Sequence, residues 1–115
     1  QEENNTGNLI ADNAVRYINE HYGDDITLND LACLSGVSPQ YFDRVFRERL
    51  NMRPMEYIAR VKISKAKSML LDCDMSVTQL SESLGYTSPT YFGIVFKKYE
   101  GISPSEFRKN SGSVI

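Results

Sequence analysis

Gln40, Asp43 and Arg44 stand at i, i+3 and i+4 in the segment SPQYFDRVFRERL. Phe42, Val45, Phe46 and Leu50 of the same segment recur at helical spacing, so a helix here turns its apolar side inward and those three polar groups outward. Their chemistry suits the edge of a base pair: a glutamine amide pairs with adenine, a guanidinium with guanine, and a carboxylate accepts from the cytosine amine. Asp43 has two other readings, orienting Arg44 or opposing a phosphate, and Arg44 has a plain one as a solvated surface arginine. Ser38 is first an N-cap, with a helix N-terminus facing a phosphate as a second role. Arg47 joins it as an expected phosphate contact.

Fifty residues later the pattern returns with different chemistry. Ser88-Pro89 opens a helix whose inner face is Phe92, Val95, Phe96 and Tyr99, leaving Thr90, Gly93, Ile94 and Lys97 outward. Thr90 and Ile94 can meet thymine methyls, and Gly93 permits close approach. Ser88, Lys97 and Lys98 are expected phosphate contacts, which position a protein without specifying sequence. The first copy is therefore expected to discriminate bases and the second mainly to add affinity. Tyr41 and Tyr91 are expected to pack rather than read.

Two copies of one unit surround these residues. Leu31 and Gly36 match Leu80 and Gly85 at an offset of 49. Past one added residue in the second turn the offset is 50, pairing Ser38-Pro39 with Ser88-Pro89, Tyr41-Phe42 with Tyr91-Phe92, Val45-Phe46 with Val95-Phe96, and Pro54-x-Glu56-Tyr57 with Pro104-x-Glu106-Phe107. Each copy reads as a short helix, a glycine turn and a second helix, the helix-turn-helix pattern. Thr27 with Asp30 and Ser76 with Gln79 form capping-box patterns before the short helices. Gly23 is expected to end a first helix starting near Leu9, as a C′ residue.

Between the copies, Pro54 to Asp72 reads as one uninterrupted helix, with Pro54 at its first position. Met55, Ile58, Ala59, Ile63, Ala66, Met69 and Leu70 share a broad apolar face, extended by Tyr57 and Val61, which calls for more than one packing neighbour. Arg60, Lys62, Lys65 and Lys67 are expected to supply charge, with the two lysines nearest the apolar face snorkelling to solvent. Such a helix is about 28 Å long, close to the roughly 34 Å between successive major grooves on one face of DNA.

The 115 residues carry a net charge of −2, but residues 39–67 hold 8 basic and 3 acidic side chains, and a local patch outweighs the total. No membrane-length apolar run or signal peptide occurs. Cys33 and Cys73 are expected as reduced thiols in or near a core, and with one His they make no metal site. The chain opens on QEENNTGN without a Met, which we read as linker on a piece of a longer protein. The expected organisation is linker 1–8, first helix-turn-helix 9–53, linker helix 54–72, second helix-turn-helix 73–109 and a disordered tail 110–115.

The run Ser76 to Arg108 resembles the C-terminal signature of AraC/XylS-type transcription regulators in Leu84-Gly85-Tyr86, Ser88, Tyr91-Phe92, Phe96-Lys97-Lys98, Gly101, Ser103-Pro104 and Phe107-Arg108. RVKISKAKSMLL is similar to that family's linker helix, and the resemblance spans about Leu9 to Arg108. Ser81 departs from the family's usual Ala. The resemblance implies an all-α domain of seven helices in two helix-turn-helix subdomains joined by a long central helix. It places Gln40, Asp43 and Arg44 at base-contacting positions. It further implies a bacterial, cytoplasmic regulator, of the activator kind, that binds double-stranded DNA through recognition helices in successive major grooves. Its partners would be the parent's sensory or receiver domain and RNA polymerase, with no membrane contact and no cofactor.

No phosphate loop, GxSxG, metal-ligand cluster or nucleophile beside a base is present, so an enzyme is not expected. The rival reading is a helical protein-interaction module whose basic block meets an acidic surface. Where the charge sits separates the two, because DNA reading needs it on the second helix of each copy.

Overall fold

The computed structural model describes residues 2–72 and 74–112, with side chains described for 6–72 and 74–110. Among the described residues seven helices follow in order: α1 Glu2–Glu20, α2 Leu28–Ser35, α3 Pro39–Leu50, α4 Pro54–Asp72, α5 Val77–Ser83, α6 Pro89–Glu100 and α7 Pro104–Gly112. No strand occurs among the described residues, and no helix among them is long and apolar enough to cross a membrane. Cys73 and residues 113–115 of the expected tail lie outside the described residues. Residues 110–112 belong to α7.

The chain forms two compact units. One contains residues 1–22 and 26–58, the other residues 23–25 and 59–115. The first unit is built on α1, α2 and α3. Thr27 and Asp30 close a reciprocal capping box on α2, and Gly36 ends it in the left-handed region at φ 71°. The Ser38 hydroxyl then accepts from the Tyr41 backbone N–H at 3.1 Å to start α3. Phe42 and Phe46 are wholly buried, and Tyr57 meets Phe46 edge-on at 5.8 Å. Asn51 ends α3 with φ 59°, a backbone state in which asparagine is tolerated better than most residues.

The second unit repeats this plan. Ser76 and Gln79 cap α5 reciprocally, the Ser88 hydroxyl accepts from Tyr91 N–H at 3.2 Å, and Phe107 meets Phe96 edge-on at 5.6 Å. Gly101 takes the left-handed position that Asn51 fills in the first copy. Ser81, buried where the first copy has Ala32, satisfies its hydroxyl by donating to Thr78 O at 2.8 Å. Arg108 donates to Leu70 O at 2.9 Å, which gives a carbonyl of the last turn of α4 a partner.

Several expectations need correction. α1 begins at Glu2 rather than near Leu9. Asn4, Asn5 and Gly7 are poor helix formers, but Gly7 lies so close to α3 that an added Cβ would stand 3.5 Å from Val45, and this packing supplies what propensity lacks. Gly23 is not a left-handed cap. Its Cβ would come within 2.8 Å of Ser83 O, so close approach to α5 demands glycine there. Cys33 is exposed rather than in a core, because α2 buries only Leu31 and Ala32 and the next position turns outward. Met55, expected on the apolar face of α4, is 50% exposed. The buried positions of α4 run through Ile58, Val61, Lys62, Ile63, Ala66 and Leu70, which cover roughly 200° of arc at 100° per residue. Ile58 belongs to the first unit and the other five to the second, so the second unit alone accounts for that breadth.

Candidate nucleic-acid interface

On α3 the inward residues Phe42, Val45 and Phe46 are buried, while Gln40, Arg44 and Arg47 are exposed and Asp43 is half-exposed. The helix thus brings the expected base-contacting trio to one open face. Arg44 lies over the Tyr41 ring, 5.1 Å from its centroid, which favours the guanidinium electrostatically and limits its wandering. Asp43 does not orient Arg44. Its carboxylate pairs with Arg47 at 2.9 Å, one helical turn on. An exposed pair of this kind contributes about 0–1 kcal/mol, so DNA can take either partner at small cost. Arg49 is paired with Asp12 of α1 at 3.2 Å.

The early turns of α1 flank this face. Asn8, Arg44, Glu48 and Arg49 line a polar cleft of about 340 Å³ between α1 and α3. Nothing in the sequence pointed to Asn8 as a neighbour of Arg44, because that segment reads as linker.

On α6, Thr90, Ile94, Lys97 and Lys98 are exposed and Gly93 is half-exposed. Tyr91, expected to pack, is 58% exposed instead, at 6.1 Å from the Tyr86 ring. Basic side chains therefore sit on the outward faces of both second helices, Arg44 and Arg47 on one and Lys97 and Lys98 on the other. That is the distribution DNA reading needs and the protein-module reading does not.

Lys62 departs most from expectation. Rather than a solvated charge it is a buried residue, 7% exposed. Its ammonium donates to Leu84 O at 2.5 Å and to Asp24 O at 3.1 Å, and lies 5.4 Å from the centre of the Tyr86 ring. Burial lowers its pKa, with Asp25 and Asp24 pulling the other way. Gly85, at φ 85°, lets the α5–α6 turn approach, since a Cβ there would stand 2.8 Å from the Lys62 nitrogen. Tyr86 carries the packing on to Phe92 of α6 at 5.2 Å. Its hydroxyl is buried with no hydrogen-bond partner, and burial, then the Tyr91 and Tyr99 phenols, push its pKa up to about 12. Lys62 thus ties α4 to the turn that launches α6. Replacing Lys62 with Met should leave both carbonyls without this donor and cost about 1–3 kcal/mol. Urea unfolding checks this, and an unshifted midpoint would show the clamp to be idle.

Residues 31–110 match the family model described as a helix-turn-helix domain. The chain is 36% identical over 100 residues to an uncharacterized HTH-type transcriptional regulator, YisR, of Bacillus subtilis, covering 87% of this chain and 35% of that protein. It is 30% identical to the Msm operon regulatory protein of Streptococcus mutans, covering 95% and 39%. The chain thus spans little more than a third of the length of these curated relatives. Among solved structures, the C-terminal domain of AraT, a response regulator from Geobacillus stearothermophilus, superposes with a TM-score of 0.85 at 30% identity, covering 88% of this chain and 84% of that one. The DNA-binding domain of the global transcriptional factor AdpA, solved in complex with a target DNA, gives 0.84 at 25% identity, covering 87% and 90%. The chain belongs to the AraC-type family of helix-turn-helix transcription regulators, as a sequence-specific DNA-binding domain.

Proposed function

We propose that the outward faces of α3 and α6 enter major grooves of one duplex, that Gln40, Asp43 and Arg44 contact base edges, and that Ser38, Arg47, Ser88, Lys97 and Lys98 hold phosphates. The observation that carries this is the open face of α3, where three groups able to hydrogen-bond bases stand beside exposed basic side chains. On α6, Thr90, Gly93 and Ile94 occupy the equivalent outward positions. The likeness to a domain solved with its target DNA supports the same reading. The further partners are a sensory or receiver domain and RNA polymerase, in a cytoplasmic bacterial activator. The short span of this chain against its relatives supports the first of these.

Lys97→Ala tests the division of labour. Without its ammonium to hold a phosphate, α6 should bind specific and random duplex more weakly by about the same factor. The slope of log K against log salt should fall in magnitude by about 1. A Lys97→Ala chain that prefers a different sequence would contradict the assignment.

A further inference from the structure

The two recognition helices differ most where they should be most alike. Gln40, Asp43 and Arg44 of α3 correspond, fifty residues on, to Thr90, Gly93 and Ile94 of α6. Three hydrogen-bonding side chains become a short methyl-bearing one, none at all, and a branched alkyl. The neighbouring tyrosines also diverge. Tyr41 is half-buried beneath Arg44, whereas Tyr91 stands 58% exposed and Ile94 62% exposed on the same face. Both are exposed apolar side chains in the N-terminal half of α6, the end of a recognition helix that meets base edges.

Gly93 adds an independent observation. It lies inside α6, where glycine weakens a helix relative to alanine. No positive φ requires it, and a Cβ built on it would meet nothing within 4 Å. The fold of the unit therefore gives no reason for glycine. An outside surface that comes close to the helix backbone does.

We infer that α6 is a thymine reader, which discriminates by packing Ile94 and Tyr91 on the thymine 5-methyl group while Gly93 lets the helix lie close to the groove floor. In the major groove that methyl is the one apolar feature among the four bases. Ile94 offers no hydrogen bond with which to read any other feature. The exposed Lys97 and Lys98, on the same outward face, supply phosphate attraction that apolar packing lacks. This inference rests on the proposal that α3 and α6 face DNA. It changes the role of the second copy from added affinity to a reading by shape and apolar surface.

The test starts from a duplex selected out of a random library by the 115-residue chain. The half-site read by α6 is the one whose sequence Arg44→Ala leaves unchanged. Each thymine in it is replaced by deoxyuridine, which removes the methyl and keeps every hydrogen-bonding group. Loss of one buried methyl should weaken wild-type binding about fourfold at one or more positions. Ile94→Ala and Tyr91→Ala should bind the thymine and uracil duplexes alike there, with unchanged thermal melts because both side chains are exposed. Gly93→Ala should melt at a higher temperature yet bind the selected duplex more weakly.

A half-site without thymine, a wild type indifferent to uracil throughout it, or variants that keep the full methyl effect would overturn the inference and leave DNA reading by α3 intact. A Gly93→Ala chain that binds as tightly as the wild type would overturn the close approach. A chain that selects no sequence at all would overturn the parent proposal as well.

Discussion

Phe46→Ala is expected to destabilise the first copy by about 3–5 kcal/mol, and Phe96→Ala the second by a similar amount. Each ring is wholly buried. Each is held between a phenylalanine one turn earlier and an aromatic residue eleven positions later: Phe42 at 5.7 Å and Tyr57 at 5.8 Å for Phe46, Phe92 at 5.9 Å and Phe107 at 5.6 Å for Phe96. Truncation removes the shared partner of both neighbours, and so opens a cavity rather than trimming an edge. Since a domain is typically stable by only about 5–15 kcal/mol, thermal melts should show a large drop for both variants. A melt unchanged by either substitution would show that the two aromatic triads are not equivalent core elements.

The second large effect concerns α4. Ser64 lies near the middle of this 19-residue helix and is exposed. Ser64→Gly removes little packing and should cost up to about 1 kcal/mol in helix propensity. Ser64→Pro removes a backbone donor and clashes with the preceding turn, at about 3 kcal/mol or more. If both copies read one site, the Gly variant should bind nearly as the wild type does. The Pro variant should lose affinity for a selected duplex far more than for random duplex. Circular dichroism at the assay temperature shows whether the Pro variant is folded. A folded Pro variant with wild-type affinity and footprint would mean that only one copy reads, the other serving as a prop.

Local chemistry made most of the architecture legible. The capping pairs Thr27 with Asp30 and Ser76 with Gln79, the Ser-Pro openings of α3 and α6 and the repeated Phe pairs each act within a few residues, so sequence spacing was enough to find them. The trio on α3 could likewise be read by subtracting the apolar positions. What stayed hidden depends on residues far apart in the chain. Gly7 joins a helix because Val45 lies against it, and Gly23 is small because Ser83 is near. Lys62 reads as one more solvated charge until the carbonyls of Asp24 and Leu84 come within reach of its nitrogen. Tyr91 resembles Tyr41 in sequence context, but its neighbour is Tyr86 rather than a guanidinium, and it remains open to solvent. Cys33 follows two buried positions and turns out on the next.

The central claim is that α3 reads base edges. Binding-site selection from a random duplex library, run side by side on the wild type and Arg44→Ala, tests it most directly. Arg44 is exposed and pairs with no carboxylate in the trio, so its removal should leave the fold intact. The account predicts that the variant selects the same site with one position relaxed, at a cost of about 1–3 kcal/mol for the preferred base there, and with the rest of the sequence preference retained. An Arg44→Ala chain that selects the wild-type site with undiminished preference at every position would contradict it.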